Sequence, residues 1–152
     1  MNPRIDHATR LIHALPPKIA EAFAAPDQYM KWLPPAGMTG RALVYEFREG
    51  GRYRIELTYA SPGAGKTSAR TDISHGRFLA LDPGRRIVMS ALFESADPAF
   101  AGEMIMTWTF VPAPGGTEVT VTAEHVPAGI SAEDHAEGLN STLENLARHV
   151  EA

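Results

Sequence analysis

The segment Ala60-Ser61-Pro62-Gly63-Ala64-Gly65-Lys66-Thr67 ends like a phosphate-binding loop, with Ala standing where the first glycine of that motif would be. Such a loop works when a buried parallel strand delivers its N–H groups, together with a helix N-terminus, to the phosphates. Here the preceding strand carries Arg54, Glu56 and Thr58 on one face, and the chain re-enters a strand by Ile73. No helix follows, and no strand ends in a plausible Mg²⁺-binding Asp. The segment therefore reads as a hairpin loop, not a nucleotide site.

Six histidines raise the question of a metal. His7 and His13 share one face of a strand but stand too far apart along it to hold one ion together. His75 and His125 lie on other strands, and His135 and His149 are far apart on the last helix. No His-x-His or His-x-x-x-His spacing with a carboxylate occurs, so no metal site and no cofactor is assigned. Nucleophilic hydrolysis is equally unsupported: there is no Gly-x-Ser-x-Gly elbow, and Ser74 and His75, adjacent on a strand, point to opposite faces. General acid–base chemistry needs only one or two polar groups in an apolar pocket. Asp72, His75, Glu94, Tyr45, Tyr53 and Tyr59 are the candidates for that role, and enzyme activity of a cyclase or dehydrase type stays open. Trp32, Tyr53, Tyr59, Met104, Met106, Trp108 and Phe110 are core residues by type. Met and the aromatics are also adaptable linings for an apolar ligand in a pocket of ~300–1,000 Å³.

The elements that would position these residues can be read from periodicity. Thr9 to Ala14 is a short strand, stopped by Pro16-Pro17. Ile19, Ala22 and Phe23 place a short helix over residues 18–24, and Asp27 caps a second one carrying Tyr29, Met30, Trp32 and Leu33. Strands follow around Leu43–Phe47, Tyr53–Tyr59, Ile73–Leu81, Arg86–Phe93, Met104–Phe110 and Val119–Glu124, joined by turns such as Glu49-Gly50-Gly51 and Asp82-Pro83-Gly84. Ser131 with Glu133 and Asp134 opens a final helix running from about Ala132 to Val150, with Leu139, Leu143, Leu146 and Val150 on one face. This order predicts one α+β domain over residues 1–152: a curved seven-stranded antiparallel sheet wrapped around a long C-terminal helix. A sheet curved around one helix leaves a pocket, here between Leu139 and Leu143 on the helix and Tyr53, Leu57, Met106 and Trp108 on the strands. The loop from Pro34 to Gly40 lies near its mouth.

Composition limits the partners. Apolar residues make up 44% of 152 and charged residues 21%, a balance that supports a packed core. With a net charge of -4 and scattered basic residues, the chain is a poor match for nucleic acid. Cysteine is absent, which removes disulfides and thiolate chemistry. The N-terminal residues show no signal-peptide h-region and no apolar run is long enough to span a membrane, so a cytoplasmic protein is expected.

Several of these residues also carry a family resemblance. Asp82-Pro83 followed by Arg86-Ile87-Val88, the run Met106-Thr107-Trp108-Thr109-Phe110, Gly115-Gly116-Thr117, the Glu49-Gly50-Gly51 turn, the Trp32-Leu33-Pro34 stop and a last helix opening near Gly138 resemble the SRPBCC (START-like) superfamily. Within it, the chain is most similar to bacterial stand-alone proteins related to the C-terminal domain of the activator of the ninety-kilodalton heat-shock chaperone's ATPase. The resemblance implies the helix-grip fold and a cavity for a small hydrophobic or amphipathic molecule. Cyclase-like enzymes and chaperone regulators also occur in the superfamily, and a homodimer or a chaperone partner stays open. Relatives commonly carry Trp after the glycine of the last helix. Leu139 stands there instead, which implies a roomier cavity.

Overall fold

The computed structural model describes residues 4–61, 65–82 and 84–151. Pro62, Gly63 and Ala64 of the glycine-rich segment and Pro83 of the β-turn lie outside them. In chain order the elements are β1 (Ile5–Ile12), α1 (Pro16–Ala24), α2 (Pro26–Trp32), β2 (Met38–Tyr45), β3 (Arg52–Tyr59), β4 (Thr71–Asp82), β5 (Arg86–Phe93), a 3₁₀ turn at Pro98–Phe100, β6 (Met104–Ala113), β7 (Gly116–Glu124) and α3 (Ala132–Glu151). The seven strands form one sheet in the order β1-β7-β6-β5-β4-β3-β2, with every neighbouring pair antiparallel. This is the expected helix-grip architecture.

Local chemistry accounts for where the elements start and where the reading of the sequence misses. Pro16 and Pro17 do not merely end the first strand: they form the first turn of α1, where a missing N–H costs nothing. Pro26 likewise opens α2, so Asp27 sits in the helix's first turn and the cap position falls to Ala25, which makes no side-chain bond. The strand expected around Leu43–Phe47 begins at Met38, and a bulge between Ala42 and Val44 breaks its simple alternation. The first strand starts four residues earlier than expected and ends at Ile12. Ser131 caps α3 as its sequence suggests, its Oγ accepting from the Asp134 N–H at 3.0 Å.

One face of the sheet turns inward. Ile12, Ile55, Phe78, Ile87, Met89, Trp108, Val119 and Val121 are buried there against Leu139, Leu143, Leu146 and Val150 of α3. α3 lies close along β1, at the edge of the sheet, and also touches α1 and α2. Its first turn is tied to that edge by a charged cluster: Asp6 Oδ2 lies 2.7 Å from His135 Nδ1 and 3.0 Å from Arg4 Nη2. Burial raises the Asp6 carboxyl, but the bonds to His135 and Arg4 outweigh it and hold its pKa below the ordinary value. A carboxyl depressed in the folded state contributes stability that is complete above its unfolded pKa, about 4, and that fades as pH falls through the folded value. We therefore expect Asp6→Asn to lower the melting temperature at pH 7 and to converge on the parent below about pH 4. A gap that persisted unchanged to pH 2 would contradict this account.

Candidate functional site

The concavity between sheet and helices has two ends of different character. At one end α1 and α2 press aromatic side chains into the sheet. The Phe23 ring meets Trp32 at 4.8 Å, Trp108 at 5.1 Å and Phe110 at 5.7 Å, all edge to face. The polar atoms of this cluster go to backbone carbonyls: Trp32 Nε1 donates to Ala22 at 2.9 Å, Tyr53 Oη to Ser90 at 2.6 Å, and Tyr45 Oη to Phe23. Burial pushes the Tyr29, Tyr45 and Tyr53 phenols up, so all three stay neutral. Four residues singled out as pocket lining, Trp32, Tyr53, Trp108 and Leu143, thus belong to solid core, and half-buried Tyr45 packs against it. Edge-to-face rings pack densely and leave no room for a ligand.

The inward-facing side chains at the other end are more exposed. Leu57 and Tyr59 of β3, Ser74 of β4, Phe93 of β5 and Met106 of β6 all face inward by register, yet all are only half-buried. Met106 packs against both hydrophobic clusters, the main core and a smaller one of Ala91, Met104, Ala123, Val126 and Ile130. Met104 and Leu139 are buried on the flanks. On α3, a Cβ added to half-buried Gly138 would meet nothing within 4 Å. The loop after α2 is fastened to this helix by Thr142 Oγ1 to Leu33 O at 3.0 Å, Asn145 Nδ2 to Pro34 O at 2.9 Å, and Ala36 N to Ser141 Oγ at 3.0 Å. Pro34 in turn packs over Gly40 beside Leu57, where a Cβ would crowd the Pro34 ring at 2.8 Å. The loop from Pro34 to Gly40 is therefore fastened against α3 and β3.

On the same inward face Asp72 of β4, opposite Leu57, is only 6% exposed. Its Oδ2 accepts from Tyr59 Oη at 2.7 Å and from Lys66 Nζ at 2.8 Å, and its Oδ1 accepts from the Lys66 N–H at 2.7 Å. Burial, then the bond to Asp72 and its charge, push the Tyr59 phenol well above the ordinary range. The Lys66 ammonium also sits 5.0 Å from the centre of the Phe93 ring and 5.7 Å from that of Phe100. Lys66, read in the sequence only as part of a phosphate-loop look-alike, turns inward onto a carboxylate of its own chain. β3 and β4 on either side are antiparallel, and no helix follows Thr67. Phe93, Phe100, Ser74 and Gly138 were not singled out as site residues, because only the register and the loop path bring them together.

With this geometry in place the comparisons can be read. A sequence model of the family described as Activator of Hsp90 ATPase homolog 1-like protein matches residues 14–151. The chain belongs to that family. A solved structure of a protein from Chromobacterium violaceum is 31% identical, covers 97% of each chain and superposes with a TM-score of 0.87. The AHSA1-like protein from Aeromonas hydrophila, at 18% identity, covers 97% of this chain and 92% of its own, with a TM-score of 0.71. A protein from Arthrobacter aurescens, at 14% identity, reaches 0.77 over 97% and 86%. The last two share the fold alone. No curated protein matches the sequence.

In this Activator of Hsp90 ATPase homolog 1-like chain, His75 and Glu94 lie on the face of the sheet opposite Asp72. Three positions separate Asp72 from His75, so their side chains leave the strand on opposite faces. His75 pairs across the outer face with Arg54, and Glu94 bridges them: Arg54 donates to both its oxygens at 2.8 and 2.7 Å, and His75 Nδ1 lies 3.0 Å from Oε2. The Arg54 hydrogen bonds hold the Glu94 carboxyl below its ordinary range. His75 thus lines an outer groove of about 420 Å³ with Val44, Arg77 and Leu92. A second groove of about 550 Å³ lies by the β4–β5 turn, among Arg85, Arg86, Thr109 and Val111. Both are open to solvent rather than enclosed. Among the described residues, no three His, Asp or Glu side chains approach closely enough to hold a metal, and no helix is long and apolar enough to cross a membrane.

Proposed function

We propose that the protein binds a small hydrophobic or amphipathic molecule in the cleft between α3 and the inward faces of β3 to β6. One observation carries this reading: Leu57, Tyr59, Phe93 and Met106 face the concave side of the sheet and still reach solvent, and on α3 a side chain added at Gly138 would meet open space. Half-exposed apolar groups on the concave side of a fold bring a gain of about 25 cal/mol for each Å² that a ligand covers. Family membership supports the same reading. Catalysis gains less support, because the carboxylate at the rim is already engaged by three donors and so is poorly placed to take a proton.

Native mass spectrometry of protein purified from its own host tests the proposal, with a retained small molecule as the expected result. Gly138 offers a second test. Glycine inside a helix costs ~1 kcal/mol relative to alanine, and here the new methyl meets open space. Gly138→Ala should therefore raise the melting temperature by about 2–4 °C. Gly138→Leu should instead extend into the cleft and weaken uptake of an environment-sensitive apolar dye. Dye uptake untouched by Gly138→Leu, with no molecule retained from the host, would remove the cleft from consideration.

A further inference from the structure

The group that closes the rim of the cleft is a cation held as a ligand would be held. Lys66 Nζ lies 2.8 Å from the Asp72 carboxylate and faces two aromatic rings, Phe93 at 5.0 Å and Phe100 at 5.7 Å. A buried carboxylate with ring faces around it is the chemistry that recognises ammonium groups. The Asp72 side chain is only 7% exposed and that of Lys66 15%. Tyr59 Oη fixes the carboxylate from a third side, so the acceptor stays oriented whichever cation it holds.

The two partners differ in how they are anchored. Asp72 is part of β4, paired in register with Leu57 of β3, and Phe93 lies on β5. Lys66 lies between the strands, and a compact, strongly hydrated ammonium on a four-carbon stem moves into water readily. Leu57 stands opposite Asp72 on the inward face, and Phe93 and Met106 both pack against the smaller apolar cluster there. We infer that Asp72, Phe93 and Phe100 form a recognition site for the ammonium head of an amphiphile, and that Lys66 occupies it as a tethered stand-in the ligand displaces. The inference rests on the cleft being a ligand site and adds the sign of the ligand's charge. An anionic head is disfavoured on the same geometry. To pair with Lys66 it would have to draw that ammonium off Asp72, leaving a buried carboxylate uncompensated beside a second negative charge.

The test uses three ten-carbon probes below their micelle concentrations, decyltrimethylammonium, decanoate and decanol, titrated calorimetrically into the full chain. The parent should prefer the ammonium. Lys66→Gln removes the internal competitor and should tighten ammonium binding by about tenfold or more, since a site blocked most of the time binds in proportion to its open fraction. Asp72→Asn should level the three probes. Should Lys66→Gln fold poorly, the parent suffices: with its three lysines carrying ¹³C-methyl groups, the Lys66 signal should move to the position of an exposed lysine on adding decyltrimethylammonium, and stay in place with decanol. Decanoate binding tighter than the ammonium, or a Lys66 signal indifferent to it, overturns the inference. If decanol then binds as well as the ammonium, the cleft reading stands without the head-group site. If none of the three binds, the cleft reading falls too.

Discussion

Replacing Phe23 by alanine should destabilise the protein by about 3–5 kcal/mol, the range for truncating a fully buried aromatic side chain. Phe23 is 0% exposed and stands at the centre of the filled end of the concavity. From α1 its ring touches four others, Tyr29 and Trp32 of α2 and Trp108 and Phe110 of β6. Removing it loses the transfer term and leaves a cavity that rigid rings cannot collapse into. The three edge contacts, to Trp32, Trp108 and Phe110, are each worth about 0.5–1.5 kcal/mol beyond burial, so the effect belongs at the upper part of the range. A chain of this length loses about 2–4 °C of melting temperature per kcal/mol, and a fall of at least 8 °C is expected. Phe93→Ala, at the half-exposed cleft, should cost distinctly less by the same measurement. Equal losses at the two positions would mean that the concavity is filled along its whole length, and would undercut the ligand reading.

That contrast could not be seen in the sequence, and the reason is physical. Period-two alternation identifies which residues face inward, and it placed Tyr53, Leu57, Met106 and Trp108 together on that face, where the structure has them. It does not say how much volume α1 and α2 fill, because that depends on how Phe23, Trp32 and Tyr29 stack in three dimensions. Hence residue type and alternation group Trp32 and Tyr53 with Leu57 and Tyr59, although the first two are sealed in core. His75 is different: the same alternation that reads β4 already sets Asp72 and His75 on opposite faces, so its outward position was legible. The bounds of β5, Arg86–Phe93, match because a turn and an apolar run mark both ends. The bulge in β2 left no such mark. Lys66 was beyond reach, since the partner of a loop side chain depends on the path of the loop.

Gly76→Ala should be as damaging as the loss of Phe23, at a position where the added group is a single methyl. Gly76 lies in β4 opposite Tyr53 of β3, and a Cβ there would overlap the Ser90 carbonyl oxygen of β5 and lie 2.6 Å from its carbon. Both atoms are backbone, so no rotamer change relieves the clash. Ser90 is also held from two sides, by Tyr53 Oη on its carbonyl at 2.6 Å and by the Arg77 N–H on its Oγ at 3.0 Å. A strand glycine marks a place where two backbones come close, and here that approach is what lets the Tyr53 phenol reach across to Ser90. Separating β4 from β5 to admit the methyl would break that bond and leave a buried hydroxyl and carbonyl unsatisfied, which alone costs about 1–3 kcal/mol. Strain in the strand pair adds to it, and overpacking contributes a further ~1–3 kcal/mol. The expected total is about 3–5 kcal/mol in a denaturant titration. Tyr53→Phe separates the parts, since it removes the hydrogen bond without the clash and should cost about 1–2 kcal/mol. If Gly76→Ala cost no more than Tyr53→Phe, the strands would have parted freely, and the close approach at Gly76 would not be what shapes the sheet beside the cleft.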